Sequence, residues 1–150
     1  MLNRDYRDML HALFGNEVRF LVVGAYALAA YGYPRATGDI DIWVDTSLEN
    51  SKKIYASLTV FGAPLADILE KTFTEKGIIF QIGIAPRRID IITSIDGVDF
   101  QEAFEQKEII EVDGLKIPFI SKEDLIKNKL STGRKKDKLD AEYLSKNQDV

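Results

Sequence analysis

Phe20-Leu21-Val22-Val23-Gly24-Ala25 and, fourteen residues past Ala25, Asp39-Ile40-Asp41-Ile42-Trp43-Val44 organise the reading of this 150-residue chain. The first is a short apolar, β-branched run suited to a buried strand, and the Ala-rich segment 25–31 after it suits a helix, which puts Gly24 at a strand-to-helix junction. The second alternates. In a strand, successive side chains point to opposite faces, so Asp39 and Asp41 share one face while Ile40, Ile42 and Val44 enter the core.

Two carboxylates held roughly 6 to 7 Å apart on one strand face repel each other unless a proton or a cation relieves them. Magnesium would do so, because it takes oxygen ligands and keeps positions open for substrate phosphates. The competing reading is a polar strand face turned to solvent. A calcium loop is excluded, because the EF-hand pattern needs an oxygen ligand at Trp43 and glycine at Val44. At Gly24, unpaired backbone N–H groups of a helix start can face a phosphate with no side chain in the way. Taken alone, a glycine there only permits a tight turn.

The ordered set resembles the polymerase-beta-like nucleotidyltransferase superfamily, in which a Gly-Gly or Gly-Ser turn precedes an Asp-x-Asp strand and a third acid sits on a later strand. Residues 33–41, Tyr-Pro-Arg-Ala-Thr-Gly-Asp-Ile-Asp, look like the Arg-x-Thr-x-Asp-x-Asp stretch of bacterial minimal nucleotidyltransferases and of their relatives among toxin and antitoxin proteins of the abortive-infection (AbiEii) type. The run Ile120 to Lys129, followed by Thr132-Gly133-Arg134-Lys135-Lys136-Asp137, is similar to their C-terminal signature. The implied fold is α+β: a small mixed β-sheet carries the carboxylates, flanked by helices, with the C-terminal helices packed on the same domain. The third acid is expected at Asp90, which alternates with Ile89 and Ile91 as the first pair does. Its alternative is a surface residue paired with Arg87 or Arg88. Asp96 belongs to an Asp-Gly turn, and Asp45 falls where β-structure gives way to a helix that Ser47 can cap.

The resemblance implies transfer of a nucleoside monophosphate from an NTP to an acceptor hydroxyl with Mg2+ or Mn2+. Asp39, Asp41 and Asp90 would be the catalytic and metal-binding residues. Gly24, Ala25, Arg35, Thr37, Lys129 and Arg134 would be nucleotide-binding. Many relatives carry Ser or Gly where this chain has Ala25, so one hydroxyl donor is missing, worth about 0.5–1.5 kcal/mol. Acceptors in range are an RNA end, a protein or a small molecule, and a toxin or antitoxin partner protein would supply surface that a short chain lacks. The alternative is an antitoxin-like or nucleotide-binding interaction module with little or no turnover.

Composition bounds the rest. A chain of this length with 45% hydrophobic and 29% charged residues fits one domain, with a core expected over about 15–112 and a helical extension over about 120–147. There is no cysteine, which removes disulfides and thiolate chemistry, and the one histidine, His11, reads as a helix-surface residue. No apolar run reaches a membrane span and no signal peptide is evident, so a cytoplasmic location is expected. From Leu115 onward nine Lys or Arg stand against six Asp or Glu, a balance of +3, which leaves −7 for the first 114 residues of a chain of net −4. The basic end is thus expected to face an anion, or simply water.

Helices are expected over 3–13, 25–32, 48–60, 64–72, 99–106, 121–130 and 136–145. Strands are expected over 19–23, 39–44, 77–84, 88–93, 108–112 and 115–119, with Ala85-Pro86-Arg87 joining the third and fourth as a hairpin loop.

Overall fold

The computed structural model describes residues 2–33 and 38–146. In chain order the elements are α1 (Arg4–Gly15), β1 (Phe20–Val23), α2 (Gly24–Ala30), β2 (Ile40–Val44), α3 (Leu48–Phe61), a 3-10 turn at Thr72–Thr74, β3 (Ile79–Ile82), β4 (Ile89–Ile92), α4 (Phe100–Glu105), β5 (Glu108–Val112), β6 (Leu115–Phe119), α5 (Lys122–Ser131) and α6 (Lys135–Lys146). The strands form one mixed sheet in the order β3-β4-β2-β1-β6-β5. The α+β class and the mixed sheet follow the expectation.

The centre of the sheet explains the sequence pattern. Every residue of β1 is buried, as a strand covered on both faces requires, and β2 is buried except at Asp41. β1 runs antiparallel to β2 and parallel to β6, while β2 runs parallel to β4. Trp43 is almost wholly buried and meets the Phe100 ring edge-on at 5.0 Å. That geometry suits the ring quadrupoles, and removing the Trp43 side chain would cost about 3–5 kcal/mol.

Helix starts are capped by side chains the sequence supplies. Asn3 accepts from Tyr6 N, Ser47 from Asn50 N, Asp99 from Glu102 N and Ser121 from Asp124 N. Each such cap is worth about 1 kcal/mol. The C-terminal helices reach the core through Leu125 and Leu144, and the Tyr143 ring lies 4.8 Å from that of Tyr33 beyond the end of α2. No helix among the described residues is long and apolar enough to cross a membrane.

Two expectations need correction. The segment 64–72 is not a helix but a succession of tight turns ending in the 3-10 turn. Ser51 on α3 donates to the Glu70 carbonyl at 2.7 Å and accepts from Phe73 N at 3.0 Å, and the Thr72 hydroxyl accepts from Leu69 N at 2.7 Å. These side chains satisfy backbone groups that a helix would have paired internally, and buried Phe73 pins the turn. The third strand is shorter than the expected 77–84. Gly77 and Gly83, with φ of 81° and 89°, bracket it in a conformation the sheet ladder does not accept. β3 and β4 do form an antiparallel pair around Ala85-Pro86-Arg87.

Candidate functional site

The carboxylates are brought together by strand register. β2 and β4 are parallel neighbours in which Asp41 is the direct partner of Asp90, so both side chains leave the same face of the sheet. On the other side of β2, Val23 is the partner of Asp41. Gly24 therefore turns into α2 directly beside that carboxylate. Its φ is 69°, and a Cβ built there would overlap the Asp41 side chain. Glycine is required twice over, by conformation and by space.

Asp39 departs from the simple alternation. The strand begins at Ile40, and Asp39 sits on the bend before it, where its carboxylate accepts from Arg88 N at 2.9 Å and from the Arg88 guanidinium at 3.0 Å. The same guanidinium donates to both oxygens of Asp90, at 2.7 and 3.1 Å. The Arg88–Asp90 pairing considered as an alternative for Asp90 is thus present, but Asp90 is not a surface residue: it is 7% exposed. Arg88 bridges two of the three acids, and among the described residues no group of three His, Cys, Asp or Glu side chains is arranged to hold a metal ion.

Asp41 lies outside this bridge. Burial first, then the charge of Asp90, a hydrogen bond shared with it and the charge of Asp39, push the Asp41 carboxyl up to about 7, against the opposing pull of Arg88. Burial and the two neighbouring acids thus outweigh Arg88 at Asp41. Tyr6 on α1 braces it from below. The Tyr6 hydroxyl lies 2.9 Å from the Gly38 carbonyl and 3.2 Å from that of Arg88, so it reaches the backbone at the start of both acid-bearing segments. Burial, then the charges of Tyr26 and Asp39, push this phenol up to about 12.

Asp41 opens onto a cleft of about 230 Å3. Gly24, Ala25 and Leu28 line the same side; Lys129, Arg134, Lys136, Asp137 and Asp140 line the other. The C-terminal signature residues Lys129 and Arg134 are therefore placed with the Gly24 turn and Asp41, far apart as they are in sequence. Lys129 Nζ lies 3.2 Å from Asp137 and 3.6 Å from Asp140, and Arg134 Nε lies 2.8 Å from Asp137. Thr132 also donates to Asp137, at 2.8 Å. Burial works to raise the Asp137 carboxyl, but the Thr132 hydrogen bond and the charges of Lys129 and Arg134 prevail and hold it below its ordinary value.

Arg35 and Thr37, expected at the nucleotide, lie outside the described residues. Sequence reasoning left four contributors out of the site. Arg88 was legible as a residue two before Asp90, on the same strand face. Asp137 and Asp140 stand three apart on one face of α6, a spacing that marks a shared helical surface. Tyr6 had no local signal, because its partners are 32 and 82 residues away. Asp45, set aside in favour of Asp90, is buried in a separate cluster with Arg19, Asn50 and Gln101. His11 is exposed on α1.

No family model and no curated protein matches the chain. Among solved structures, the crystal structure of a "putative nucleotidyltransferase" from Thermotoga maritima matches with a TM-score of 0.62 and 24% identity, over 97% of this chain and 94% of that one. The fold is the nucleotidyltransferase fold. In this nucleotidyltransferase fold the central strands present Asp41 and Asp90 beside the Gly24 turn, with Lys129, Arg134, Lys136, Asp137 and Asp140 of the C-terminal segment opposite.

Proposed function

We propose that this protein transfers a nucleoside monophosphate from a nucleoside triphosphate to an acceptor hydroxyl, with Asp39, Asp41 and Asp90 holding magnesium or manganese. The observation that supports it most is the convergence, in one cleft, of Asp41 in register with Asp90 and of Lys129 and Arg134 from α5 and its C-terminal loop. With the Arg88 guanidinium withdrawn from Asp39 and Asp90, the three carboxylates would offer the oxygen donors that a hard divalent ion takes. Three carboxylates crowd one end of the sheet, and burial first, then the neighbouring acids, raise the Asp41 carboxyl. Bound there, such an ion would offset triphosphate charge and lower the pKa of the attacking hydroxyl.

The chain's own residues would then do the rest. Gly24 and Ala25 leave room for phosphate oxygens on one wall, while Lys129 and Arg134 would neutralise the triphosphate from the other. Asp137 and Asp140 hold Lys129 so that it arrives already oriented. Asp90 would take the proton of the acceptor hydroxyl as its oxygen attacks the α-phosphorus, the α–β anhydride bond breaks, and pyrophosphate leaves. The absent hydroxyl at Ala25 would weaken triphosphate binding without removing the reaction.

The relationship to abortive-infection and minimal nucleotidyltransferases, a toxin or antitoxin partner, and a cytoplasmic setting belong to the same proposal. The test is incubation of the protein with each α-labelled nucleoside triphosphate, magnesium or manganese, and cell lysate. Label on RNA, on a protein or on a small molecule would identify the acceptor. No transfer under any condition would refute the reading in favour of an interaction module.

A further inference from the structure

We infer that Arg88 is a built-in cation for the carboxylate site, one that must leave Asp39 and Asp90 before a divalent ion can take their oxygens. The inference rests on the metal-dependent reading above and adds an exchange step to it. Four contacts carry it: guanidinium to Asp39 at 3.0 Å, guanidinium to Asp90 at 2.7 and 3.1 Å, and Arg88 N to Asp39 at 2.9 Å. One side chain thus engages two of the three acids, and the planar fork suits that bidentate role.

The geometry allows the guanidinium to swing away while the backbone stays in place. Ile40 N and the Tyr6 hydroxyl both donate to the Arg88 carbonyl, at 3.0 and 3.2 Å, and Arg88 N is held by Asp39, so the main chain is anchored on both sides. The Arg88 side chain is 28% exposed, so it already reaches solvent from the site. Charge couples departure to arrival. Three acids around one guanidinium remain in excess, and removing it without replacement would leave them repelling one another. Arg88 departure and cation entry are therefore one exchange, and Asp90 is a competent ligand or proton acceptor only after the ion pair opens.

The test is Mn2+ binding, measured by calorimetry or by the signal of free Mn2+, on the wild-type protein and on Arg88→Gln. If the pair is closed about nine times in ten, wild-type affinity is reduced about tenfold, so Arg88→Gln should bind Mn2+ about tenfold more tightly. In the wild-type protein, where folding of a variant is not in question, the Arg88 Nε–H resonance should shift and exchange faster with solvent as Mg2+ is added. Equal Mn2+ affinities with an unmoved Nε–H resonance would overturn the exchange alone. Absence of Mn2+ binding by both proteins would overturn the metal-dependent reading and the exchange with it.

Discussion

Asp41 and Asp90 are direct partners across the parallel pairing of β2 and β4, close enough to share a hydrogen bond, with the Arg88 guanidinium donating to both oxygens of Asp90. The relationship places a functional group at a cost to stability. Asp41 is pushed up to about 7 by its burial and by Asp90, so near neutral pH its ionisation opposes folding. Asp41→Asn should abolish nucleotidyl transfer yet leave the metal-free protein as stable as the wild type, or more stable by about 1 kcal/mol. Paired urea melts and transfer assays check this, and a variant that retains transfer would remove Asp41 from the site.

Gly24 tests the closeness of that approach. Gly24→Ala places a Cβ on the Asp41 carboxylate and demands a φ of 69° from an L side chain. Conformational strain alone costs about 1–2 kcal/mol, before the overlap is relieved. Denaturant unfolding should show a loss of that size or greater, and triphosphate binding should weaken with it. Full stability in the variant would mean that the turn is not built as described.

The pH dependence of stability should carry the signature of Asp137. Its folded pKa lies below the ordinary carboxylate value, so on acidification the unfolded chain takes up its proton first. The stabilisation is therefore fully present above the unfolded value near 3.9 and is lost as pH falls through the folded one. Asp137→Asn should cost about 2 kcal/mol at pH 7, since it weakens hydrogen bonds from Thr132, Lys129 and Arg134. Thermal melts from pH 7 downward should show the difference shrinking below about pH 4. A difference independent of pH would show that charge is not its origin.

Tyr6→Phe removes one hydroxyl from beneath the site. The Gly38 and Arg88 carbonyls lose a shared donor, which should cost about 1 kcal/mol. Amide exchange at Ile40, whose N–H bonds the Arg88 carbonyl, should quicken selectively, while α3 amides keep their protection. Uniform acceleration across the protein would point instead to a general loss of stability.

Much of the molecule was legible because its signals are local. The alternation Ile40-Asp41-Ile42 and Ile89-Asp90-Ile91 is a period of two, and it marks strands wherever one face is apolar and the other carries charge. Asp113-Gly114 bounds β5 and β6, whose limits match the expectation residue for residue. The helix expected over 64–72 failed for a reason equally physical: Ser51, distant in sequence, offers that segment's backbone other partners. Asp39 departed from the strand because Arg88, also distant, took its carboxylate.

By itself the sequence determined which residues could carry charge into an apolar strand, where the chain must turn, and which caps start its helices, since each depends on neighbours within a few positions. The tertiary structure alone decided that Asp41 stands in register with Asp90, that Lys129 and Arg134 line the cleft facing Gly24, and that Arg88 compensates two of the three acids. Those are matters of strand order and helix docking. They are set by burial summed over the whole core, which no window of the chain contains.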